Sequence, residues 1–445
     1  MNFMRGLGVG VMIGAVAAGW LVVAGGCQLI AGVKDAVLYP PDGGTGSGGQ
    51  GGGATVTSAG GSGAGGCTDG TINGNETGKD CGGQCKPCTD GDGCKVGPDC
   101  DSKVCVGGTC LPPKCTDQIK NGTETGADCG SKLCPSCPNG ETCAIGADCQ
   151  SGICDKNICI IPASCIGLAT TCGAGANENC CATPLIPGGT YNRSNDPNSP
   201  ATVSDYRLDK FEVTVGRFRK FVEAYPMNKP APGAGKHPLI AESGWNQIWD
   251  QDLPADQAAF KANLSACAML STWDSMGTND KKPINCVNWP EAFAFCAWDG
   301  ARLPTEAEWN YAAAGGSQQL DYPWGSIIDG TYASYNCGGD GSAPGAGNCA
   351  LSDILNVGSR SPKGDGRWDH ADLAGNVWEW TFDAYKNPYM SPCLNCGEVS
   401  SYALNHMIRG GSWLYPESNL LSSFRDSTKT LGHPNDVGFR CARNP

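Results

Sequence analysis

"PINCVNWPEAFAFCAWDGARLPTEAEWNYAAAGG", residues 283–316, is the stretch whose reading decides the fold. In its second half Pro304 ends an extended segment, and Thr305 followed by Glu308 has the spacing of a capping box, so a helix starts there. The carboxylates of this segment invite an acid/base reading, but a cap and surface ion pairs account for them once a helix start is recognised. Trp289, Phe293, Phe295 and Trp298 read as core rather than as a cofactor box. Upstream, in "VTVGRFRKFVEAY", Val215, Phe218, Phe221 and Val222 fall three, four and seven residues apart and line one face of another core-facing helix. These helices, with the ordinary globular composition that begins at about residue 182, point to a folded domain over residues 161–445.

The rest of the chain has a different character. With 445 residues there is room for two or three domains. The formal net charge is -13, from 31 basic and 44 acidic residues, and no Lys or Arg run stands out. This composition speaks against a nucleic-acid partner. Twenty-nine cysteines at regular spacings imply cross-linking in an oxidising, extracytoplasmic compartment.

The N-terminus, "MNFMRGLGVGVMIGAVAAGWLVVAGGC", has Arg5, an apolar run, and Ala24, Gly25 and Gly26 directly before Cys27. It reads as a lipoprotein signal over residues 1–26, cleaved to leave Cys27 acylated. A plain signal peptide or a membrane helix would not require a cysteine there. Gln28, not Asp, follows the cysteine, so in a two-membrane bacterium the outer membrane is expected. Residues 27–66, dominated by "GGTGSGGQGGGATVTSAGGSGAGG", form a Gly/Ser-rich tether, with no strand or helix pattern around it to make a phosphate loop.

Residues 67–159 contain a repeat. Cysteine intervals of 14, 4, 3, 6, 6, 5 and 5 are followed by 14, 5, 3, 6, 6, 5 and 5, which defines modules 67–114 and 115–160. Each carries a turn-rich core, "NGNETGKDCG" and "NGTETGADCG". So few large apolar residues cannot form a core, so disulfides are expected to hold each module. Zinc is disfavoured by the scarcity of His and by the compartment. Glu76 with Asp80, and Glu124 with Asp128, are weighed as Ca²⁺ ligands against the commoner reading as turn carboxylates.

From residue 185 onward, "LIPGGTYNRSND", "YRLDKFEVTVGRFRKFVEAY", the stretch quoted first, "YPWG", "DLAGNVWEW", "IRGGSW" and "DVGFRCAR" occur in the order found in the formylglycine-generating enzyme family, also called sulfatase-modifying factors. The chain resembles that family over about 260 residues. The resemblance implies an α+β variant of the C-type lectin fold with short strands, few helices and long loops, and it implies a Cys296–Cys441 disulfide. Cys267 with Cys286, Cys337 with Cys349, and Cys393 with Cys396 are natural further pairs by proximity, although sequence leaves connectivity open. "CLNC", residues 393–396, has redox CxxC spacing but no βαβ surroundings, so a structural staple is the expectation. The resemblance also implies a structural Ca²⁺ held by Asp372, the carbonyls of Gly375 and Val377, and Glu379, against the alternative that the two acids only cap and solvate the turn.

The chain departs from the family at its chemistry. Catalysing members carry two cysteines after the "GGSW" segment, and their thiolates hold Cu(I). Tyr415 and Leu420 occupy those positions, so no copper is expected. His237, His370, His406 and His433 are scattered, and Ser412 has no His pattern to activate it. What remains is a lipid-anchored envelope protein whose domain binds an extracellular or periplasmic protein, peptide or glycan, with Ser412, Trp413 and Arg440 as groove candidates. The alternatives are an enzyme, either of the family's own kind oxidising a sulfatase cysteine or with diverged chemistry built on a perturbed ionisable cluster, and a purely structural envelope protein.

Overall fold

The computed structural model describes residues 66–131 and 133–445. The signal segment, Cys27 and all but the last residue of the tether lie outside these residues. Among them the architecture is α+β, made of short strands, four α-helices and long connecting loops.

The two cysteine modules are built alike. In the first, Cys67–Cys85, Cys81–Cys88, Cys94–Cys105 and Cys100–Cys110 are paired. In the second, Cys115–Cys134, Cys129–Cys137, Cys143–Cys154 and Cys149–Cys159 repeat that order. Each ends in a two-residue hairpin: β1 (Cys105–Val106) with β2 (Thr109–Cys110), and β3 (Cys154–Asp155) with β4 (Ile158–Cys159). The buried cluster in each module consists of the cystines themselves. Its acidic residues hold turns: Asp99 accepts from the amides of Gly83, Lys95 and Val96, and Asp148 from those of Ser131, Ala144 and Ile145. Asp80 accepts from Gly70, Asp128 from Asp117 and Gln118, and Glu124 from Asn121. These carboxylates close turns on backbone amides, as the turn reading expects. Cys165–Cys181 and Cys172–Cys180 then fasten the segment that leads into the larger domain.

That domain opens with β5 (Leu185–Ile186), β6 (Gly189–Asn192), β7 (Pro200–Val203) and β8 (Tyr206–Leu208). The helices α1 (Val215–Ala224), α2 (Gln257–Leu264), α3 (Trp289–Trp298) and α4 (Glu306–Ala313) follow. The chain then forms β9 (Trp378–Ala384), β10 (Cys393–Leu394), β11 (Asn405–Arg409), β12 (Asp426–Lys429), β13 (Val437–Gly438) and β14 (Ala442–Arg443). The main sheet has the order β12-β11-β9-β13, and its β9 is buried along all seven residues. Two three-stranded sheets, β14-β8-β5 and β10-β7-β6, flank it in the topology. The last strand therefore pairs with β8, which ties the end of this domain to its beginning.

Local chemistry explains the helices. Thr214, Asn288 and Thr305 cap α1, α3 and α4, and the last two form complete capping boxes with Glu291 and Glu308. The core gathers Phe218, Phe221 and Val222 of α1 with Trp289, Phe293 and Phe295 of α3, while Trp298 packs at its edge. One expectation needs correcting: Glu308 belongs to no surface ion pair. It is buried and bonded to both terminal nitrogens of Arg302, with His237 at 3.3 Å. Burial opposes its charge, but Arg302 and His237 hold its carboxyl well below the usual range.

The most consequential polar feature is a buried ring of charge. Arg217 of α1 bonds Asp209 at 2.7 Å and Asp299 at 2.8 Å, and Arg443 of β14 reaches the same two carboxylates. Ser164 joins through its amide to Asp299 and its hydroxyl to Arg217 Nε. Cys296–Cys441 spans 145 residues beside it. Removing one member of a buried pair costs about 3–5 kcal/mol, because its partners keep a buried charge. Arg217→Ala should therefore lower the unfolding free energy in guanidinium by that amount, and Cys296→Ser with Cys441→Ser by about 3–5 kcal/mol, as expected for so long a closed loop.

Candidate functional site

The segment that follows β11 makes a sharp turn through Gly410 at φ +96° and Gly411 at φ +72°. A Cβ on Gly411 would lie 2.5 Å from Leu420 Cδ1, so glycine is required there for both conformation and space. Ser412, Trp413 and Arg440, expected to line a groove, are each fully buried. Ser412 Oγ lies 3.3 Å from Asp436 Oδ2, Trp413 packs on Ile354 and Val377, and Arg440 is saturated by polar partners. These residues hold the turn together and present nothing to a ligand.

The two positions that the resemblance assigns to copper thiolates are also accounted for. Leu420 is 1% exposed and packs in an apolar cluster with Tyr322, Tyr335, Ala333 and Ala374. Tyr415 is 38% exposed, its ring edge-on to Trp378 at 5.9 Å. Cys337 comes near in backbone terms, its amide donating to Trp413 O at 2.8 Å, but its sulfur is paired with Cys349. Phenol, alkyl group and cystine do not fit Cu(I), which takes soft thiolates.

At the turn 372–379, Asp372 and Asn376 adopt positive φ, as does Gly375. Glu379 is not a free metal ligand there. Its carboxylate is bonded by Arg440 Nε and Nη2, each at 2.7 Å, and by Trp309 Nε1 at 2.8 Å. A second acid, absent from the sequence reading, takes its place: Glu212, fully buried, accepts from Asn376 Nδ2 and from the amide of Val377. Three buried acids thus face a single cation, Arg440. Burial, reinforced by Asp372 and Glu379, raises the Glu212 carboxyl well above its normal range. Burial likewise pushes Asp372 up to about 6. This excess of buried negative charge fits a divalent cation, with Asp372 and the carbonyls of Gly375 and Val377 as hard oxygen donors. Nothing in the sequence distinguishes Glu212 from an ordinary acid preceding a helix cap.

The remaining predicted pairs, Cys267–Cys286 and Cys393–Cys396, are disulfides. The histidines stay apart: His370 bonds Leu208 O, His406 stacks on Trp289, and His237 and His433 face Glu308 and Glu291.

A charged cleft lies elsewhere, lined by Arg193, Glu306, Asp383, Tyr389, Cys396 and Arg425. Tyr389 is its hub. Its hydroxyl meets Glu306 Oε1, Ser194 Oγ and Arg409 Nη2, each at 2.8 Å, and the guanidiniums of Arg193 and Arg425 stack on its ring at 4.1 and 3.9 Å. Asp383 accepts from the amides of Glu306 and Glu398, and burial pushes its carboxyl up to about 7. Burial pushes Arg409 down to about 9. Five separate segments build this cleft, so no sequence window could reveal it.

The motifs, the paired chain ends and the buried turns agree with the comparison to known proteins. The family model described as the sulfatase-modifying factor enzyme 1-like domain matches residues 170–445. The chain belongs to this family. Inactive C-alpha-formylglycine-generating enzyme 2 of Bos taurus is 28% identical over 290 residues, covering 58% of this chain and 86% of that one. Formylglycine-generating enzyme of Thermomonospora curvata is 27% identical over 304 residues, covering 58% and 92%. Among solved structures, Treponema denticola variable protein 1 is similar with a TM-score of 0.39 and 21% identity, over 59% of this chain and 95% of that one. The fold class of this sulfatase-modifying-factor-like domain is α+β, with short strands, four α-helices and long loops among the described residues.

The cleft generates a pH prediction. Asp383 has a folded pKa above its unfolded value of 3.8, so its neutral form favours folding: that contribution is complete below about pH 4 and is lost as pH rises through about 7. Asp383→Asn mimics the neutral acid. Between pH 4 and pH 7.5 the parent should lose up to ~3 kcal/mol of stability relative to the variant, read as the difference between their urea unfolding curves at each pH.

Proposed function

We propose that this sulfatase-modifying-factor-like domain is a binding module that does not oxidise cysteine, carried on an envelope protein anchored through Cys27. One observation carries the reading: where a thiolate pair would be needed, Leu420 is sealed in an apolar cluster and Tyr415 stands at the other position. Filling that space with hydrocarbon removes the soft ligands and the room for a metal together. That similar proteins of Bos taurus and Mus musculus are named inactive supports the reading.

A binding role also has a surface. Tyr402 and Leu404, 77% and 86% exposed, border a groove with Ile248, Trp249 and Leu431 on the domain exterior. Exposed apolar and aromatic side chains of this kind suit a protein, peptide or glycan ligand. A calcium ion at the 372–379 turn would neutralise the excess charge of Asp372 and Glu212 and stiffen the turn.

Two measurements test the proposal. Supplied with Cu(I), O₂, a thiol reductant and a peptide bearing the sulfatase cysteine motif, the protein should yield no aldehyde. Tyr415→Cys with Leu420→Cys should bind Cu(I) where the parent does not. An aldehyde formed by the parent overturns the proposal.

Chelation should lower the melting temperature, and added Ca²⁺ should restore it, because a ligand bound only by the folded state stabilises it by mass action. Asp372→Ala should abolish that response. Cys27→Ser should release the protein from the membrane or leave its precursor uncleaved.

A further inference from the structure

The disulfide Cys393–Cys396 differs from the others in three respects. It lies in the charged cleft, with Cys396 half-buried at the lining and Cys393 buried beneath at 4% exposure. Arg193 Nη1 donates to Cys396 Sγ at 3.6 Å, and among the described residues no other disulfide sulfur receives a hydrogen bond from a cationic side chain. Arg193 is itself 3% exposed and forms no ion pair; its other contacts are Met390 O and the Tyr389 ring, and its Nε has no partner. A buried guanidinium with no carboxylate bonded to it, set against a sulfur, favours a thiolate at that sulfur.

The third respect is chain entropy. A sequence separation of 3 makes this the smallest closed loop of the described disulfides, and Cys296–Cys441, at 145, the largest. Opening the smallest loop releases the least conformational freedom, so the fold tolerates it best. The backbone pairing of β10 with β7 persists independently of the sulfurs, through Cys393↔Ala201 and Leu394↔Thr202.

We propose that Cys393–Cys396 is a reducible thiol–disulfide exchange site, with Arg193 stabilising the Cys396 thiolate, and that it accepts electrons from an accessible dithiol on a peptide or protein. A partner thiolate attacks Cys396 Sγ, an intermolecular S–S bond forms, and Cys393 leaves with the electron pair of the old bond and takes a proton. The partner's second thiolate then attacks the partner sulfur of that bond and expels Cys396 as a thiolate beside Arg193. The partner dithiol becomes a disulfide and the Cys393–Cys396 pair receives the two electrons. A reduced form stabilised in this way makes the disulfide the stronger oxidant.

The other charges facing Cys396 do not cancel this effect. Glu306 is paired with Arg409, and Glu398 with Lys386 at 3.1 Å, which leaves Arg193 and Arg425 against Asp383 alone.

The test uses the purified protein with its disulfides intact, equilibrated in glutathione buffers of graded poise, trapped with iodoacetamide and mapped by mass spectrometry. Cys393 and Cys396 should be alkylated together at a poise that leaves every other described disulfide intact, and a synthetic dithiol peptide should lose two thiols per protein. On Cys393→Ser, the pH midpoint of Cys396 alkylation should fall at least one unit below the ordinary thiol value of about 8.5. Adding Arg193→Gln should return it toward that value, and Arg193→Lys should keep it low. Reduction of this pair only together with the others, or a midpoint that ignores Arg193, identifies a structural staple and overturns the proposal.

Discussion

Arg217, Asp209, Asp299 and Arg443 form a ring of alternating charge inside the protein, and each comes from a different part of the chain. Asp209 follows β8, Arg217 lies in the first helix, Asp299 ends the third, and Arg443 belongs to the final strand. Two carboxylates and two guanidiniums balance, so burial carries no net charge, and each carboxylate is held by both cations. Such a ring satisfies its members only when all four elements are in place. It therefore specifies where the chain ends meet, and through β13 it sets the partner of β9, the strand that leads out of the 372–379 turn.

The cysteine modules solve the same problem by other means. They have too few large side chains to exclude water from a core, so covalent bonds limit the unfolded ensemble and cystine sulfurs fill the interior. Their acidic residues close turns on backbone amides. In the larger domain the proportions reverse: tryptophans and phenylalanines supply the core, and disulfides fasten loops around it.

The two positions that the resemblance assigns to thiolates hold side chains that the scaffold accommodates, Leu420 inside an apolar cluster and Tyr415 against Trp378. Leu420 fills its place with hydrocarbon and contributes burial. The buried charges show the opposite behaviour. Glu379, Arg440 and Trp309 form a tight set, while Glu212 and Asp372 have no cation bonded to them among the described residues, and burial raises both carboxyls. Chemistry and scaffold thus separate at the level of individual side chains.

The sequence by itself determined the repeat through cysteine intervals, a helix start through Thr305 and Glu308, the core face of the first helix, and the family. All of these depend on residues close in sequence or on an ordered series of motifs. Only the tertiary structure decided which acids are free and which are paired. Ser412, Trp413 and Arg440 read as groove residues but are buried, because β11 and β13 both join β9 in the main sheet and enclose them. Glu379 read as a ligand but faces Arg440, and Glu212, which no motif marks, lies buried against the same turn. The cleft around Tyr389 drew its arginines and acids from five segments. Charge balance is a property of neighbours in space, and the sequence lists neighbours along the chain.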